Sequence, residues 1–172
     1  VSLGSMVATD WLLRYPQEIG AAVLMNSSFK NFSPFYRRIR PQNLFHLLRI
    51  ICTKNPQVME KSILKITSKY LQKHPALIKE WAQIQRERPV SAANILRQTI
   101  AAARFCVPEE APRTPILLLN SLQDQLVHPS CSEEIHRRWG KELQSHPWAG
   151  HDLSLDDGIW VIAQVKKFLT KC

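Results

Sequence analysis

Apolar positions recur along the chain with two different periods. Met6, Val7, Trp11 and Leu12 fall at helical spacing and Pro16 closes the run, which predicts a helix over Leu3–Tyr15. The stretch AAVLMN, Ala21 to Asn26, is continuously apolar and short, as expected of a strand buried on both faces of a parallel sheet. The same alternation returns after residue 113. Thr114–Asn120 reads as a strand and Ser130–Trp139 as a helix closed by Gly140. Glu142–His146 reads as a weaker strand, and Gly158–Leu169 as a last helix with Asp156 or Asp157 at its cap.

The middle of the chain differs. From Pro34 to Cys106 the pattern holds no strand signal, only helical segments at Pro41–Cys52, Pro56–Leu71, Pro75–Arg88 and Ser91–Phe105. Several open with proline at the first helical position, where its missing N–H costs nothing. The expectation is an α/β fold with a mostly parallel sheet, formed by residues 1–29 and 109–172, and a helical insertion over residues 30–108.

Composition changes this picture little. The 172 residues are 45% hydrophobic and 22% charged, the balance of a globular domain able to bury a core. The longest apolar runs, AAVLM and PILLL, fall far short of the roughly 20 residues of a membrane-spanning helix. Cys52, Cys106, Cys131 and Cys172 form no C-x-x-C pair, so reduced thiols and a cytoplasmic setting are expected, with no metal site.

Charge is divided unevenly. Residues 30–106 hold 15 Lys and Arg against three acids, while the rest hold 8 against 11, so the net charge of +9 belongs to the insertion. Such a surface suits weak contact with an anionic membrane, or an acidic partner. The plainer reading is a solvated helix face, since Lys61, Lys65, Lys69 and Lys73 follow one another at i, i+4. No nucleic acid is expected, because no binding motif is present and aromatics do not interleave the charges.

Three places carry candidate chemistry. The opening VSLG matches four of the five positions of the G-x-S-x-G nucleophile elbow, in which a sharp strand-to-helix turn lifts a serine hydroxyl above a sheet. The competing role for Ser2 is a helix N-cap. In NSLQDQLVHP, Asp124 follows a predicted strand by four residues, at the strand end where catalytic groups of parallel sheets gather; its competing role is a turn aspartate. In WAGHDLSLDD, His151 stands on a loop before the last helix, with His146 and His128 as rivals. Asp152 is poorly placed to orient its own neighbour, and Asn26, at an earlier strand end, has no carboxylate to offer.

These segments resemble the α/β-hydrolase family. VSLGSMVATDWLLRYPQEIGAAVLMNSS is similar to its elbow, following helix and next strand; PILLLNSLQDQLVHP is similar to its acid loop, GHD to its histidine loop, and the helical insertion lies where the family carries a cap. The matches cover about half the residues, in the family's order of Ser, Asp, His. The resemblance implies a partial α/β-hydrolase fold corresponding to the C-terminal two-thirds, with the strand before the elbow and the second oxyanion donor outside this sequence. It implies Ser2 as nucleophile, His151 as general base and then acid, Asp124 as the residue orienting His151, and the Leu3 backbone N–H as one oxyanion donor. No cofactor is implied. The expected substrate is a small ester or thioester of a mostly apolar acid. An acyltransferase or carbon–carbon bond hydrolase would use the same residues, and a non-catalytic module binding an anionic partner is the rival from another class. Serine at the elbow argues against the dehalogenase and epoxide-hydrolase branches. The stripes Leu44, Leu47, Leu48, Ile51, then Leu64, Ile66, Leu71, then Ile95, Ile100 either line an acyl pocket or, for most of them, pack the helices onto the core.

Overall fold

The structure, a computed structural model, describes residues 1–69 and 75–171. Three parallel strands, β1 (Ala22–Met25), β2 (Ile116–Ser121) and β3 (Glu142–His146), form a sheet in the order β1-β2-β3. All six residues of β2 are buried, which is why its first four, Ile116–Leu119, form an unbroken apolar run. Alternate side chains serve opposite faces. Leu24, Ile116 and Leu118 join Met6 and Leu12 of α1 (Leu3–Arg14) and Ile135 and Trp139 of α7 (Ser130–Trp139). Leu117 and Leu119 join Leu153, Val161 and Phe168 of α8 (Leu153–Leu169). Both faces are thus covered by helices, as the expected α/β architecture requires.

Helix α1 ends at Arg14, and Pro16–Glu18 adds one 3-10 turn that the sequence pattern did not indicate. Its inner face also departs from the expected stripe. Met6 and Leu12 are buried, but Val7 and Trp11 are exposed, and the places beside the sheet are taken by Ser5 and Thr9. These polar residues are satisfied locally. Thr9 Oγ1 donates to Ser5 O at 2.8 Å, and Ser5 Oγ accepts from Met25 N–H at 3.3 Å.

Between β1 and β2 the described residues form helices only: α2 (Phe35–Arg38), a 3-10 turn at Pro41–Asn43, α3 (Leu44–Cys52), α4 (Pro56–Thr67), α5 (Pro75–Glu87) and α6 (Ala92–Arg104). The two ends of this stretch meet through the Asn31 amide, which donates to Val107 O at 2.8 Å and accepts from Val107 N–H at 3.1 Å. Helix α4 stops at Thr67, not Leu71, because Ser68 and Lys69 leave the helix to bond Asp156. Leu71 and Lys73 lie outside the described residues, as does Cys172. Of the predicted stripes, Leu64 and Ile66 are buried, whereas Leu44, Leu48, Ile51 and Ile100 are exposed. Lys61, Lys65 and Lys69 are exposed as well.

The final helix begins earlier than expected. Asp152 caps a first turn by accepting from Leu155 N–H, the backbone breaks at Asp157 (φ −152°, ψ 72°), and Asp157 Oδ1 accepts from Trp160 N–H at 3.0 Å. Asp157 therefore caps the segment that the sequence pattern placed at Gly158–Leu169, with one extra turn ahead of it. Gly140 closes α7 in the left-handed conformation (φ 62°) that favours glycine. Cys52, Cys106 and Cys131 are free thiols, and no helix among the described residues is long and apolar enough to cross a membrane.

Candidate active site

Asp124 and His151 follow the carboxyl ends of β2 and β3, and the Ser2 backbone bonds Met25 O at the carboxyl end of β1, so all three stand at one end of the parallel sheet. Ser2 stands at the head of α1 with φ 48° and ψ −119°, a left-handed backbone that a β-carbon makes costly. Its N–H donates to Met25 O at 2.9 Å, which seats the turn against the end of β1. Its side chain makes no capping bond, so the N-cap role is not the one the hydroxyl plays. The Leu3 N–H, at the first helical position, has no acceptor within its own helix.

Asp124 makes both a turn contact and a contact to His151. Oδ1 accepts from the N–H groups of Leu126 at 2.8 Å and Val127 at 3.0 Å, a local turn. Oδ2 accepts from His151 Nδ1 at 2.7 Å. Asp124 is 1% and His151 5% exposed, so the bond is made away from water. A carboxylate on Nδ1 holds the proton there and leaves Nε2 free to accept.

The rival histidines are occupied differently. His146 Nδ1 accepts from Ala149 N–H at 3.0 Å, its Nε2 pairs with Asp157 Oδ2 at 3.2 Å, and the ring is held edge-on between Trp148 and Trp160. Its bonds to Trp160 N–H and then to His146 hold the Asp157 carboxyl below its ordinary range. His128 Nδ1 is 2.8 Å from Ser130 Oγ, a contact local to the start of α7.

Asn26, set aside in the sequence for lacking a carboxylate, ties the loops together. It is 2% exposed with φ 47°, and its Nδ2 donates to His151 O at 2.7 Å and Ser121 Oγ at 3.2 Å, while Oδ1 accepts from Ser121 N–H at 2.9 Å. The ends of β1 and β2 and the histidine loop are therefore fastened by one amide, which a carboxylate could not replace as donor.

The helices between β1 and β2 brace both loops. Arg40 donates to Asp124 O at 2.8 Å, and the Asn43 amide donates to Gln125 O. On the other side Asp156, 5% exposed, accepts from Gly150 N–H at 2.6 Å, Ser68 Oγ at 2.6 Å and Lys69 N–H at 3.0 Å, and Asp152 N–H donates to Thr67 O at 2.7 Å. Space is tight here, because a β-carbon on Gly150 would lie 2.8 Å from Thr67 O. Gly150→Ala is expected to lower Tm by several degrees, since overpacking costs about 1–3 kcal/mol and each kcal/mol is about 2–4 °C at this size. A thermal melt checks this; an unchanged Tm would mean that the α4 end yields freely.

A cavity of about 430 Å³ opens beside α1. Ser2, Leu3, Leu126 and Val127 belong to its wall, with Leu47 and Ile95 from the predicted apolar stripes; Asp124 and His151 do not line it. Among the described residues no group of three or more His, Cys, Asp or Glu is placed to hold a metal ion.

Residues 1–158 match the model of Hydrolase_4, the serine aminopeptidase S33 family. The chain belongs to this family. Solved structures of α/β-hydrolases share its fold. An enol-lactonase from Burkholderia xenovorans LB400 superposes with a TM-score of 0.75 at 15% identity, over 99% of this chain and 64% of that one. An α/β-hydrolase from a Medee basin deep-sea metagenome library gives 0.72 at 22%, over 98% and 62%. A thermophilic esterase from Thermogutta terrifontis gives 0.70 at 17%, over 99% and 63%. The chain thus spans under two-thirds of the length of these structures. No curated protein sequence matches it significantly. The expected family and partial α/β-hydrolase fold are those found.

Proposed function

We propose that the protein is a serine hydrolase that cleaves a carboxylic ester or thioester through an acyl-enzyme. What carries this reading is the 2.7 Å bond from His151 Nδ1 to Asp124 Oδ2, buried at the same end of the sheet as the strained Ser2. In this role Nε2 of His151 takes the proton of the Ser2 hydroxyl as Oγ attacks the carbonyl carbon. The tetrahedral oxyanion is held in part by the Leu3 N–H. The imidazolium, stabilised by Asp124, then gives its proton to the departing alcohol or thiol. Water activated by the same nitrogen releases the acid and restores Ser2.

The helices between β1 and β2 act in this reading as a cap that closes the acyl cavity and braces both catalytic loops. Two relatives in fold, an esterase and an enol-lactonase, are named for ester chemistry. Treating the full-length protein with a fluorophosphonate and sequencing the labelled peptide tests the proposal. The expected label is on Ser2. A folded protein that takes no label at Ser2 would overturn the assignment and favour a non-catalytic module.

A further inference from the structure

Arg38, at the end of α2, is the one ionisable side chain in the wall of the cavity that Ser2 enters, and it has no acidic partner among the described residues. It is 8% exposed. Nη1 donates to Ala103 O at 3.1 Å, Nη2 donates to Ala102 O, and Nε lies 3.5 Å from Ser28 Oγ. All three partners belong to residues that line the same cavity, so the guanidinium is part of its wall. The carbonyls, from the last turn of α6, orient the group and partly offset its charge. Together with Ser28 Oγ they take three of its five N–H donors, which leaves one N–H on each Nη without a protein acceptor and a whole positive charge in a largely apolar chamber. Burial pulls the guanidinium below its ordinary pKa, yet an arginine stays charged.

We propose that Arg38 is a carboxylate-binding residue, and that the natural substrate is an ester or thioester whose acyl part carries a second, anionic carboxylate. This rests on the hydrolase reading above and sharpens its substrate class. A guanidinium fork with two free N–H groups matches a carboxylate in shape and charge, and such bidentate pairs gain most where water is excluded. The same cation disfavours a substrate bearing a free α-ammonium group, for which the wall offers no acid. The mostly apolar acid expected from the sequence is thus apolar along its length with a charged end.

The experiment compares full-length wild type and Arg38→Gln on the monomethyl esters of succinate, glutarate and adipate. Each is paired with the neutral ester in which an isopropyl group replaces the carboxylate. Wild type is expected to prefer at least one acidic ester, and Arg38→Gln to lower kcat/KM for that ester by about 10–100-fold, mainly through KM, while the neutral ester changes little. A wild type indifferent to the carboxylate, or a variant that loses both esters equally, would overturn the proposal, the latter marking Arg38 as only an anchor for α6. Should Arg38→Gln fail to fold, wild type alone decides: the free dicarboxylate should slow fluorophosphonate labelling of Ser2, and its diamide should not. Labelling at Ser2 without any such protection defeats the Arg38 proposal and spares the hydrolase. Absence of labelling at Ser2 defeats both.

Discussion

Ser2→Ala in the full-length protein should lower ester turnover by about 10⁴-fold or more while leaving the melting temperature within a degree or two of wild type. The kinetic loss follows from the proposed mechanism, in which no other group can form the acyl-enzyme. The small thermal effect follows from the structure. The Ser2 side chain makes no capping bond, and alanine meets the same penalty at φ 48° as serine does, so neither helix α1 nor the turn loses a contact. Steady-state kinetics with a short-chain 4-nitrophenyl ester, beside a thermal melt, give both quantities. Retention of more than about a tenth of kcat would remove Ser2 from the role of nucleophile.

Asp124→Asn should be nearly as damaging, about 10⁴-fold in kcat with KM little changed, and for a reason specific to this loop. Asp124 Oδ1 accepts two backbone N–H groups while Oδ2 faces His151 Nδ1. An asparagine must keep its oxygen on the amides of Leu126 and Val127, since only oxygen can accept. Its NH₂ then faces the ring. A donor at that position requires an unprotonated Nδ1, which moves the imidazole proton to Nε2 and leaves nothing there to accept from Ser2. The fold is kept and the tautomer is wrong. Comparing kcat with the melt separates this from simple unfolding: a variant with a lowered Tm and proportionally lowered activity would show that Asp124 acts through the turn alone.

How far the sequence reveals this arrangement depends on whether a signal is local. The sheet was legible because β2 is buried on both faces and opens with four apolar residues in a row, and the cap of the last long helix because Asp157 acts within three residues. Asp124 and His151 were legible by their position after strands. The inner face of α1 was not, since Ser5 and Thr9 are buried by virtue of bonds to backbone carbonyls and amides, and a count of apolar residues assigns their places to Val7 and Trp11. The fastening role of Asn26 was invisible for another reason: its partners Ser121 and His151 are 95 and 125 positions away. The turn Leu153–Asp156 is too short to carry a helical period, and the bonds that end α4 at Thr67 come from Asp156, far along the chain.

The register that aligns Ala22 with Ile116 also bears on how the molecule reaches its native state. Helix α3 packs against α4, and α4 against α5, so their contacts close small loops. The sheet must close a loop of about ninety residues before a single β1–β2 bond forms, and contacts distant in sequence are slow to form. In a refolding chain helical ellipticity should thus recover ahead of the junction at Asn26. Until that junction forms, a chain already rich in helix has no fixed place for His151, and the proposed triad is not assembled.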